Sequence, residues 1–236
     1  MTVEAPGGAR EILLHACCAP CSGAILECLR DSGIRPVVFF SNSNIYPRAE
    51  YDLRLAELQR YACAMGVELV ADEYDHDAWL AAVRGLEREP ERGERCAACF
   101  RFRLARAARY AASRCLPVLA TTLASSRWKD LAQVNEAGIS ACSTSLHGGS
   151  GLKTSFGPHR CASLAVPPLT MPRVARFSDP TADSVPEQAV VFWEQNWRKG
   201  GLQERRNAVI REQGFYNQNW CGCEFSHREQ ENKTNP

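Results

Sequence analysis

The sequence predicts an α/β protein in which a parallel sheet carries helices on both faces, and three observations predict it. Short apolar runs alternate with helix-length stretches through the first two-thirds of the chain. The runs rich in β-branched and aromatic residues suit strands buried on both sides. With 236 residues, 45% of them hydrophobic, the chain can bury one core of its own as a single domain.

The elements follow in order. Residues 11–15 (EILLH) form a first strand that gives way at CCAPCSG to a helix over 24–30, stopped by Gly33. Residues 36–40 (PVVFF) are a second strand, and the loop SNSNIYP leads into a helix over 49–65. There Leu53, Leu55, Leu58, Tyr61 and Ala62 repeat at helical spacing until Gly66. A third strand spans 67–70, helices span 76–86 and 101–113, and a fourth strand covers 118–123. Cys17, Cys18, Asn42, Asp75 and Ser125 each follow a strand, which places them along one rim at the carboxyl ends of the sheet. From about 139 to 187 the chain is rich in Ser, Gly, Thr and Pro without a period, and reads as an irregular insertion. The core would then comprise 11–138 and 188–226, with a helix over 202–213 and a frayed tail at 227–236.

Six of the twelve cysteines form three tight pairs in remote segments: Cys17 with Cys18, Cys96 with Cys99, and Cys221 with Cys223. The N-terminus has no basic stretch followed by a long apolar run, so neither secretion nor a membrane span is expected. The reducing cytoplasm is the expected compartment, and there such thiols serve metals or catalysis rather than structural bridges. Six thiolates exceed the needs of one zinc. A [4Fe-4S] cluster beside a mononuclear iron or a dithiol uses them all, which favours iron. Cys21, one helical turn beyond the first pair, reads as a supporting residue, and Cys28, Cys63 and Cys115 as packed in or beside helices. Cys142 and Cys161 fall in the insertion.

Formal net charge is only +1, so attraction to a polyanion must be local. The helix after Cys99 carries Arg101, Arg103, Arg106, Arg109 and Arg114 with no acidic partner expected, while Arg198, Lys199, Arg205, Arg206 and Arg211 cluster before the last cysteine pair. Either stripe suits phosphate oxygens or is an ordinary solvated face. Tyr216, Trp220 and Phe225 offer rings that stack a base or simply pack. His15 is either a satisfied core histidine or a hydrogen-bond partner of a thiolate; Asp75 is placed to serve as an oxygen ligand or acid.

The segments LLHACCAPC, FFSNSNIYPRAEYDLRLAEL, GLEREPERGERCAACFRFRL, TTLASSRWKD and QGFYNQNWCGCEFS resemble, in order, the motifs of the epoxyqueuosine reductase QueH family. The resemblance covers residues 11–138 and 193–226. It implies an adenine nucleotide α-hydrolase-like fold and an iron–sulfur, cobalamin-independent enzyme. Such an enzyme removes the epoxide oxygen of epoxyqueuosine at the tRNA wobble position to give queuosine. By motif match, Cys17, Cys18, Cys96, Cys99, Cys221 and Cys223 would hold the metal, with Asp75 the candidate carboxylate ligand. Deoxygenation consumes two electrons from an unidentified donor and two protons, for which Asp75, His15 and Tyr46 are candidates. Arg101, Arg103, Arg198, Lys199 and Trp220 would meet the tRNA.

The chain departs from the family pattern where 139–186 is interposed, and CCAPCSG stands where a pyrophosphate loop S-G-G-x-D-S would serve ATP. An ATP-dependent sulfur-transfer enzyme acting on tRNA is therefore the weaker reading. A zinc-structured RNA-binding module would explain the arginines and Cys96-x-x-Cys99, and a plain dithiol oxidoreductase would leave two pairs without a role.

Overall fold

A computed structural model describes residues 1–144, 175–177 and 189–226. Strands β1 (Glu11–His15), β2 (Arg35–Phe40), β3 (Leu69–Asp72), β4 (Val118–Thr121), β5 (Ala175–Phe177) and β6 (Val191–Phe192) form a sheet of order β5-β3-β2-β1-β4-β6. Every pairing is parallel. The central strand β1 has neighbours on both edges and layers on both faces, so Ile12, Leu13 and Leu14 are all fully buried and the run is apolar without alternation.

Helices α1 (Ala19–Asp31), α2 (Arg48–Ala64) and α6 (Leu202–Gln213) form one layer, in which α1 packs on both of the others. Helices α4 (Glu94–Ser113) and α5 (Leu131–Thr144) pair with each other, and the short α3 (His76–Ala82) rests on α4. Close approach is bought with small residues: a Cβ at Gly23 of α1 would sit 2.7 Å from Val209 of α6, and one at Gly138 of α5 would overlap the Phe192 ring. The order of strands reverses between β1 and β4, which opens a crevice at their carboxyl ends.

Several boundaries differ from those the sequence predicts. Helix α4 starts at Glu94, so Cys96 and Cys99 lie within its first turns instead of preceding it. Helix α3 stops at Ala82, short of the expected 86. The fourth strand ends at Thr121 in a 3-10 turn, Thr122–Ser125, where the Thr121 hydroxyl accepts the Leu123 N–H at 3.2 Å. Within the expected insertion, α5 continues to Thr144 and β5 pairs with β3, so its start and one short part are regular. The apolar positions Val134, Ala137 and Ala141 give α5 a buried stripe that carries the helix past Ile139 and buries Cys142. The remainder of the insertion, with Cys161, and the tail expected at 227–236 lie outside the described residues.

Candidate metal centre

Strand β1 delivers the first thiols. After His15 the chain turns, Cys18 becomes the extended residue that precedes α1, and Cys21 follows in the helix's first turn. The sulfur atoms of Cys17, Cys18 and Cys21 all lie within 4.8 Å of one another, a group able to hold a metal ion. Cys21 is thus a full member of this group rather than a supporting residue. Its position one helical turn beyond the N-cap was the available signal.

The Cys17 thiol is lowered well below its ordinary pKa by hydrogen bonds from the Cys18 and Cys21 thiols, against burial, with help from Arg103 and the Thr122 hydroxyl. Thr122 Oγ1 donates to Cys17 Sγ at 3.3 Å and accepts the Cys17 N–H at 3.1 Å. Cys18 is raised by donating to Cys17 and Cys21, and Cys21 is pushed up to about 11, chiefly by donating to Cys17. Cys17 is therefore the sulfur on which the hydrogen bonds of the group converge. Binding a cation there would release thiol protons.

The second group comes from the start of α4 and the C-terminal turn. Cys96, Cys99, Cys221 and Cys223 line a small cavity with Trp79, Phe100, Arg103 and Lys129. Trp79, Val83 and Ala98 pack around Cys99 and Cys223 and keep water from them. The turn carrying Cys221 and Cys223 is pinned by a bridge between Ile45 and Cys223, by the Tyr46 N–H donating to Gly222 O at 2.9 Å, and by Arg54 Nη1 donating to Cys221 O at 3.3 Å. Gly222 has φ +98°, and a Cβ there would lie 2.9 Å from Ile45 Cγ1.

Cys221 is held well below the usual thiol range by the Cys223 hydrogen bond, against burial, and by the Lys129 ammonium; Cys223 is raised by donating that bond. Burial pushes Cys96 up to about 11 although the Arg92 N–H donates to its sulfur at 3.3 Å. Lys129 is drawn down by burial, yet the thiolates around it, Cys221 foremost, outweigh that and Arg103, and its ammonium ends above its ordinary range.

The two groups adjoin. A larger cavity of about 660 Å³ is lined by Cys17, Cys18 and Cys21 and also by Cys96 and Cys221. Cys96, Cys221, Phe100, Arg103 and Lys129 belong to both cavities and form their common wall. Seven thiols from three remote segments therefore converge at the carboxyl edge of the sheet.

His15 is fully buried: Nε2–H donates to Ser41 O at 3.1 Å and Nδ1 accepts from the Thr121 hydroxyl at 2.8 Å. Burial, aided by Arg103, lowers its pKa to about 3, so it is a neutral, satisfied core histidine beneath the cysteine turn. Asp75 caps α3 by accepting the Ala78 N–H at 2.9 Å, and it lines neither cavity. Tyr46 stacks on His76 and is 46% exposed, also outside both linings. Ser125, Arg198 and Trp220 line the larger cavity, whereas Arg101 and Lys199 are exposed and do not.

The arginines of α4 are not the unpartnered stripe that the sequence suggests. Arg103 is 2% exposed, donates to Ser41 O at 3.1 Å and bonds Asn42 Oδ1, whose amide in turn donates to Ala16 O. Arg106 forms a two-bonded pair with buried Asp72 at 2.5 and 2.8 Å, and Arg114 pairs with Glu68. Arg205 of α6 is likewise held by Glu27 and Glu212. These acids lie far from their partners in the chain or, for Glu212, seven residues on, and local inspection of the sequence misses them. Lys129 was also missed; its signal was its place in SSRWKD, just after the fourth strand.

The model of the family described as "Epoxyqueuosine reductase QueH" matches residues 12–148 and 164–229. A protein of Histophilus somni named epoxyqueuosine reductase QueH is 36% identical over 96% of this chain and 76% of its own length. Those of Haemophilus influenzae and Acinetobacter baylyi, named likewise, are 35% and 34% identical over 96% of this chain, covering 76% and 85% of their own lengths. The family match spans both cysteine-bearing ends of the crevice as well as the sheet between them, and this chain belongs to the epoxyqueuosine reductase QueH family.

Proposed function

We propose that this chain removes the epoxide oxygen of epoxyqueuosine at the wobble position of tRNA, giving queuosine, with a [4Fe-4S] cluster and an adjacent mononuclear iron held by its cysteines. The names of its relatives support the reaction. The observation that carries the reading is the meeting of seven thiols around two adjoining cavities, the larger roomy enough for a nucleoside. The donor set suits iron, since sulfur is a soft ligand and seven thiols exceed the four that a structural zinc takes.

Bound iron would supply electrons one at a time and a Lewis-acidic position for oxygen. The conversion breaks both C–O bonds of the epoxide, forms a C=C bond and releases the oxygen as water, using two protons and two electrons from an external low-potential donor. Lys129, which lines both cavities beside Cys96 and Cys221, is the proton donor this reading favours over Asp75, His15 and Tyr46, which line neither. Its charge and that of Arg103 would also stabilise negative charge arising on the departing oxygen. Arg198 and Trp220 face the same volume and are assigned to substrate contact. A tRNA substrate places the work in the cytoplasm, and no helix among the described residues is long and apolar enough to cross a membrane.

The test is anaerobic purification, then incubation with epoxyqueuosine-containing tRNA and a low-potential reductant, followed by mass spectrometry of the nucleosides. Queuosine is the expected product. Iron-loaded protein that leaves epoxyqueuosine unchanged would contradict the reading.

A further inference from the structure

Trp128 is the most exposed large apolar side chain among the described residues, 62% accessible, and it stands on the rim of the larger cavity. An exposed indole at the mouth of a cavity offers a face on which a planar group can stack. The turn that carries it is firmly held. The Trp128 N–H donates to Ser126 Oγ at 3.3 Å, and the Arg92 guanidinium donates to Trp128 O at 3.1 Å and to Arg127 O at 2.9 Å. Gln133 Nε2 fixes Arg92 by donating to its carbonyl at 2.7 Å. Arg92 itself adopts φ +70°, a costly conformation for a side-chain-bearing residue, and its own N–H reaches Cys96 Sγ. A single strained residue therefore ties the backbone of the turn that carries Trp128 to Cys96.

The surroundings are cationic. Arg127 lies 4.8 Å over the indole, and Arg92, Arg127, Arg198 and Arg206 line the cavity against Glu91 and Asp130. The Asp130 carboxylate is engaged at the start of α5, where it accepts the Gln133 N–H at 3.1 Å. No carboxylate lies in ion-pair range of these four arginines among the described residues. Arg198 Nε is buried without a hydrogen-bond partner while Nη2 donates to Lys129 O at 2.9 Å. An anion is the ligand such a rim lacks.

We infer that Trp128 is a stacking platform for an unpaired RNA base flanking the nucleoside that enters the cavity, with Arg92, Arg127, Arg198 and Arg206 receiving the adjoining phosphates. The inference rests on the tRNA reading above. A base inside a duplex has no free face, so the platform selects looped RNA over a stem. The competing occupant is an acidic protein such as the electron donor.

The probe is a fluorescent RNA hairpin with the anticodon loop sequence and unmodified guanosine at the wobble position, titrated with iron-loaded protein. Trp128→Ala is expected to weaken binding about 10-fold, the scale of one base stack, and Trp128→Phe to restore most of it. Arg127→Gln is expected to lower the salt slope by about 0.7, the share of one phosphate on a single strand. Iron content should match the unsubstituted protein in all three. Equal affinity of Trp128→Ala for the hairpin, or equal affinity of the unsubstituted protein for a fully paired stem, would overturn the inference. So would weaker binding of a reductant protein to Trp128→Ala with hairpin affinity intact. If the unsubstituted protein yields no queuosine, the functional reading fails instead, whatever the hairpin shows.

Discussion

Gly222 shows how much chemistry rests on one absent side chain. It lets Cys221 and Cys223 turn back toward α4 at φ +98°, with Ile45 and Arg54 closing on the space where a Cβ would be. Gly222→Ala should therefore cost about 1–3 kcal/mol of local strain and reduce iron retained after anaerobic gel filtration. Iron content equal to that of the unsubstituted protein would show that the turn does not need glycine. At this scale the sequence was informative about sulfur and poor about everything that tunes it. The three cysteine pairs stood out by spacing alone, but Cys21 joins the first group only because α1 begins immediately after Cys18. Asp75 looked available because a carboxylate after a strand faces the rim, and the competing role of helix cap is decided by backbone geometry.

Helix α4 joins the site to the core. Its first turns carry Cys96 and Cys99, and further along Arg103 and Arg106 reach under the crevice to Ser41, Asn42 and Asp72. Asp72 is also bonded by the Ser41 hydroxyl at 2.6 Å and by the Glu73 N–H at 2.9 Å. Removing the arginine alone would strand a buried charge, so Arg106→Met should destabilise the fold by about 3–5 kcal/mol in chemical denaturation. Adding Asp72→Asn keeps the acceptor without the charge and should recover more than half of the loss; no recovery would mean that α4 is held chiefly by other contacts. The alternation of strands and helices was legible because apolar runs and glycine stops are local signals. The pairing partners of the arginines were not, since β3 and α4 meet only after the chain has crossed the sheet. The edge strand β5 was hidden for a related reason: three residues paired through the backbone leave little trace in composition.

Over the whole molecule, the strand order explains why residues separated by some two hundred positions can share a ligand. The reversal between β1 and β4 opens the crevice, β1 delivers Cys17, Cys18 and Cys21 into it, and the turn after β4 supplies Lys129 and Trp128. Helix α4 and the C-terminal turn close it with the remaining thiols. The parallel sheet with helices on both faces was foreseeable from the sequence, while the division of thiols between two adjoining cavities was not, because no local pattern encodes which segments meet. The claim on which the rest depends is that these separated thiols hold iron together. Iron and acid-labile sulfide per chain, measured after anaerobic reconstitution, test it most directly. Cys96→Ala and Cys221→Ala should lose most of the iron, and Cys142→Ala, whose buried thiol sits in α5 with its pKa raised to about 12, should retain it. Equal iron in all three variants would contradict the account.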